Sequence, residues 1–103
     1  MREQEQMVQV FRPAGAFEVS TAVAIVRAVE RLAPDVAVAV DLSVAFDVQD
    51  HELAILAYGL AATGRRIELS GLSRHHVRVL RYLGLDFART ADREADAAVE
   101  GAG

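Results

Sequence analysis

Apolar residues recur along the chain with two different periods, and the switches between them mark out its elements. Residues 7–12 (MVQVFR) alternate with a period of two, as a half-buried strand does, and Pro13 with Gly15 ends them in a turn. From Ser20, read as an N-cap, the period lengthens. Ala22, Ile25, Val26, Val29 and Leu32 then share one face of a helix whose other face carries Arg27, Glu30 and Arg31. Pro34 and Asp35 make a turn, and residues 36–42 (VAVAVDL) are almost continuously apolar and rich in valine, as in a central strand covered on both faces. A strand, a helix-length crossover and a second strand, in that order, argue for parallel pairing through a right-handed connection.

The same alternation continues. Residues 50–63 read as a second helix, with Gly64 as its stop. Leu53, Leu56, Ala57 and Leu60 make its core face. His51, Ile55, Tyr58 and Ala62 follow one another at spacings of four, three and four on the opposite side, where an ordinary surface helix carries charges. An exposed apolar stripe with a tyrosine at its centre predicts a protein contact, with a different partner or with a second copy of the chain. Residues 65–70 (RRIELS) alternate as a strand with Arg65 and Arg66 as edge charges, and Gly71-Leu72 read as a turn. Ser73 then caps a third helix to Leu83, with His76, Val79, Leu80 and Leu83 inward and Arg74, Arg78 and Arg81 outside, read as a solvated face with an acidic-partner or phosphate site as the rival. Residues 87–89 read as a short last strand and 92–99 as a final helix with Ala91, Ala95, Ala98 and Val99 inward. That helix, folded over the second one, is the competing explanation of the stripe.

Composition narrows the functional classes. A chain of 103 residues with 52% apolar side chains suits one domain, residues 1–103, with 1–6 and 100–103 expected to be loose. The absence of cysteine removes disulfides, thiolate metal sites and cysteine nucleophiles together. The polar start (MREQEQ), and the lack of any apolar run near the ~20 residues of a membrane span, lead to the expectation of a soluble, cytoplasmic protein without membrane insertion. A net charge of -4 disfavours nucleic acid as a partner. No Gly-rich phosphate loop, Gly-x-Ser-x-Gly elbow or carboxylate pair with an evident pocket stands in the chain, so neither catalysis nor a cofactor is expected. Among the histidines, adjacent His75 and His76 are expected to point to different faces and not to chelate together. His51 and His76 both open helices at the carboxyl ends of strands and are expected to approach each other, as hydrogen-bonded residues rather than as metal ligands.

Three stretches carry a family resemblance. Asp41-Leu42-Ser43 ends the valine-rich strand and leads, at ungapped spacing, to Gln49-Asp50-His51-Glu52-Leu53. This frame resembles STAS domains, the family of anti-sigma-factor antagonists, in which Asp-Leu-Ser is followed by Asp-Ser-Ser-Gly-Leu at the start of a helix. Residues 10–32 are similar to the family's strand, Gly-containing turn and first helix. Residues 64–85 are similar to its Gly-led strand, Gly-hydrophobic-Ser turn and the helix ending in Gly-Leu. The resemblance implies an α/β fold with a mixed, mostly parallel sheet of four to five strands backed by three to four helices. Many members place a further strand before the one at residues 7–12, so that edge of the sheet is expected to be bare or very short here. The switch residues differ: Gln49 falls on the family's aspartate, Asp50 on its first serine, His51 on the phosphorylated serine and Glu52 on the glycine. The implied function is a non-catalytic bacterial regulatory module without a phosphoacceptor, with an anti-sigma factor or GHKL-type kinase as type partner. Asp50 and Glu52 either imitate the phosphorylated state or serve as cap and first-turn acid. The rival readings are a STAS subunit that binds the ATPase of a lipid-transport ABC complex, and a small-ligand binder at the strand ends.

Overall fold

The computed structural model describes residues 7–85, 87 and 89–92. Its elements in chain order are β1 (Val8–Phe11), β2 (Gly15–Ala16), α1 (Val19–Glu30), β3 (Ala37–Asp41), β4 (Ala45–Phe46), α2 (Asp50–Ala62), β5 (Ile67–Leu72), α3 (Arg74–Tyr82) and β6 (Arg89–Asp92). The chain is an α/β protein. Among the described residues its main sheet has four strands in the order β1-β3-β5-β6, and each pairing is parallel, so no antiparallel partner of the expected mixed sheet occurs among them. A strand laid parallel to its predecessor needs a crossover, and α1, α2 and α3 are the crossovers.

The period-two pattern sorts the sheet into unlike faces. Val38 and Val40 of β3 and Ile67 and Leu69 of β5 belong to one buried cluster with Ala22, Ile25 and Val29 of α1, Leu53, Leu56, Ala57 and Leu60 of α2, and Leu80 of α3. Register sets Val8 beside Ala37, and Val10 beside Ala39 and Glu68, on the other face. Those residues stand outside the cluster, and Val8 and Val10 are each 54% exposed. Helices α1 and α2 approach closely where Gly59 meets Val26. A β-carbon at Gly59 would lie 2.6 Å from a Val26 methyl.

Several boundaries differ from the pattern's expectation, each for a local reason. Helix α1 begins at Val19 with Glu18 as an extended N-cap that makes no side-chain cap bond, so Ser20 lies inside the first turn. Gly71-Leu72 is not a turn but the end of β5, bent by a register shift after Leu69. Gly71 takes φ +73, and a β-carbon there would lie 2.2 Å from the Ser43 backbone nitrogen, so two strand ends meet at a bare backbone. Arg65 is not an edge charge. Its guanidinium donates to the carbonyl of Leu32 at 2.6 Å, to that of Val36 at 3.3 Å and to that of Ala33, closing the turn between α1 and β3. Of the inward residues expected on α3, Leu80 is fully buried, while His76, Val79 and Leu83 are half-buried. Among the described residues the last strand is β6, which overlaps the expected 87–89 only at Arg89 and takes in Asp92; the rest of the expected final helix lies outside the described residues. Among the described residues no helix is long and apolar enough to cross a membrane.

Candidate functional site

The carboxyl ends of β3 and β5 and the first turns of α2 and α3 meet at one end of the sheet. Asp41 anchors this end. Its Oδ1 accepts the backbone N–H of Ser43 at 2.9 Å and its Oδ2 accepts Nε–H of Arg12 at 3.0 Å. Desolvation pushes the Asp41 pKa up, but the hydrogen bonds from Ser43 and the Arg12 charge outweigh it and hold the carboxyl below its ordinary value. The Asp of the Asp-Leu-Ser motif therefore fixes the strand end and its exit toward the turn.

After Ser43 the chain pairs Ala45–Phe46 (β4) in parallel with Gly15–Ala16 (β2), a small ladder that the sequence pattern did not announce because each strand is two residues long. It leaves Val44 and Phe46 turned outward, Phe46 at 61% exposure. Asp47 then takes φ 60, a left-handed backbone that Asp tolerates better than most residues, and its Oδ1 accepts from Gln49 Nε2 at 3.0 Å. Gln49, not Asp50, is the N-cap of α2. Its backbone N–H is accepted by Glu52 Oε1 at 3.0 Å, the capping-box contact of a third-position Glu.

Asp50, released from the cap, faces α3. Nε2 of His75 lies 2.9 and 3.0 Å from the two Asp50 oxygens, and Nε2 of His76 lies 3.9 Å from Oδ1. The two imidazoles, expected on different faces, thus converge, with ring centroids 5.6 Å apart. The expected approach of His51 to His76 is replaced by this arrangement: the residue that meets α3 is Asp50, and His51 is exposed on α2. Nε2 of His76 also lies 2.9 Å from the Val48 carbonyl, which can only accept, so this nitrogen carries the proton. The His76 backbone N–H donates to Ser73 Oγ at 3.0 Å, the predicted cap of α3. Ser73 and His76 share a hollow of about 290 Å³ with Phe46, Asp47 and Val48. Among the described residues no group of three or more His, Asp or Glu side chains is placed to hold a metal ion.

The stripe residues of α2 are placed together on the helix's outer side. His51, Ile55, Tyr58 and Ala62 are exposed, Ile55 at 38% and Tyr58 at 50%, while Leu53, Leu56, Ala57 and Leu60 are buried. Ile55 also lines a groove of about 250 Å³ between α1 and α2, with Val23, Val26, Arg27, Glu30 and Gly59. The site accordingly has an acidic, hydrogen-bonded turn at one end and an apolar helix face running away from it. In comparisons with family models, curated proteins and solved structures, no match to this chain was found.

Proposed function

We propose that this chain is a non-catalytic, cytoplasmic protein-binding module of the STAS type, a regulatory domain whose turn at α2 lacks a phosphoacceptor. The observation that carries the reading is the exposed Ile55–Tyr58 face beside the turn. Large apolar side chains kept in water at the centre of a helix face, with tyrosine among them, are the usual anchors of a protein interface. The Asp41-Leu42-Ser43 strand end and the helix that follows it supply the frame on which such a module presents that face.

The test is a pull-down from the cell of origin with the wild-type chain and with Ile55→Glu and Tyr58→Ala. A GHKL-type kinase captured by the wild type and lost from both variants, with their melting temperatures unchanged, is the expected result. Capture of an ABC ATPase would move the chain to a transport assembly, and a small molecule in the Phe46–His76 hollow with no protein captured would make it a ligand binder. Incubated with a captured kinase and ATP, residues 49–53 gain no phosphate, because His51 offers no hydroxyl where the family has its acceptor. A stoichiometric phosphate mapped to that turn would refute this. Asp50→Asn isolates the question of mimicry, since Glu52 keeps its cap bond to Gln49. Tighter kinase binding by Asp50→Asn means that the Asp50 charge imitates phosphate, and unchanged binding leaves it as the partner of His75.

A further inference from the structure

The outer edge of β1 has no strand paired to it among the described residues. Among the described residues β1 pairs only with β3, and it stands at the end of the sheet order. Ala37 N–H donates to the Met7 carbonyl at 2.9 Å with Val8 in register with Ala37, so residues 7, 9 and 11 turn their main-chain groups toward β3. Val8 and Val10 therefore turn theirs outward. The stretch Met7-Val8-Gln9-Val10-Phe11 contains no charge and no proline, the devices by which an edge strand is usually guarded. It also reads alike in both directions: apolar, valine, glutamine, valine, apolar.

We infer that β1 is the interface of a twofold-symmetric dimer, in which two copies pair their β1 strands antiparallel about Gln9 and join their sheets into one. The phase of the ladder and the order of the side chains agree on this register. Val8 of one copy and Val10 of the other form hydrogen-bonded pairs, each exchanging both main-chain bonds. Gln9 meets the partner's Gln9 across the axis as the non-hydrogen-bonded pair, close enough for their amides to bond. On the sheet face away from the core cluster, the Val8 and Val10 side chains of both copies become contiguous, which covers apolar surface that is 54% exposed in one copy. On the other face Met7 meets Phe11. An isologous contact requires such a patch, complementary to itself. A shift of register by one residue would set inward-turned groups opposite outward-turned ones and would forfeit the hydrogen bonds.

The test uses the full chain. In sedimentation velocity over a range of concentrations, the wild type shows a monomer–dimer equilibrium. Val8→Lys/Val10→Lys places like charges opposite one another and weakens association at least ten-fold, while Ile55→Glu leaves it unchanged. Gln9→Cys, in a chain with no other cysteine, forms a disulfide-linked dimer on mild oxidation, since Cα atoms of a non-hydrogen-bonded pair lie about 4.5 Å apart. Ser20→Cys, exposed on α1, serves as the collision control. A wild type that stays monomeric at every concentration overturns the inference, as does a dimer that survives the double lysine variant. Should that variant not fold, Gln9→Cys decides alone: crosslinking no faster than Ser20→Cys means that a segment of the same chain or another partner occupies the edge.

Discussion

Gly71 and Asp41 hold the Leu42–Ser43 strand end from two sides, one by having no side chain and the other by the bonds its side chain accepts. Gly71→Ala would combine a left-handed φ, which costs roughly 1–2 kcal/mol for a residue with a β-carbon, with a collision against backbone that cannot swing away. A loss of about 3 kcal/mol or more in urea unfolding is expected. Gly84→Ala shares the positive φ but meets nothing within 4 Å, so it should lose only the conformational part. Equal losses in the two variants would mean that the approach to Ser43 relaxes freely. Asp41→Asn should cost about 1–2 kcal/mol at neutral pH through the Ser43 and Arg12 hydrogen bonds. Because the Asp41 carboxyl is held below its ordinary value, its contribution is complete above the unfolded carboxylate's pKa of about 3.9 and disappears as pH falls through the folded one. The gap between wild type and variant should therefore close in strongly acidic solution, and a gap that widened there would refute the assignment. The Asp-Leu-Ser motif was visible in the sequence, but the need for Gly71 was not. It arises from a contact between residues far apart in the chain, and a lone glycine after a strand pattern reads equally well as a turn.

At the level of elements, the helices were legible because burial imposes their period: the inward residues of α1 and α2 are buried or half-buried as the pattern requires. The caps were less legible. Asp50 has the better cap chemistry, yet Gln49 holds the position because Glu52 reaches back to its N–H and α3 presents His75 to Asp50. This His75–Asp50 pair is more than half exposed on both sides, so His75→Ala should cost less than about 1 kcal/mol. His76→Ala should cost more, since its ring is largely buried and its loss strands the Val48 carbonyl. Chemical unfolding of both variants checks the order. Arg65 is the element-scale residue that the pattern misread, since an alternating strand gives no sign that its first charge turns back to a helix end. Its fork grips carbonyls of Leu32, Ala33 and Val36 together, which a lysine cannot reproduce. Arg65→Lys should lower stability by about 1–2 kcal/mol, or several degrees in the melting temperature, despite the retained charge. Recovery of full stability by lysine would reduce Arg65 to a point charge.

For the whole molecule, the order of alternating periods was enough to give an α/β chain with parallel strands, because helix-length crossovers leave little other choice. The short β2–β4 ladder lay beyond that reasoning, since two-residue strands have no period to detect. Each strand of the main sheet lies beside the one synthesised before it, so no later unit has to be threaded between two that are already joined. A chain leaving the ribosome can add each strand–helix unit to a finished edge, and the growing end of the nascent sheet is always the site of the next addition. Protection from hydrogen exchange in stalled chains of increasing length should then appear first in β1 and β3 and reach β5 only after the second crossover has emerged.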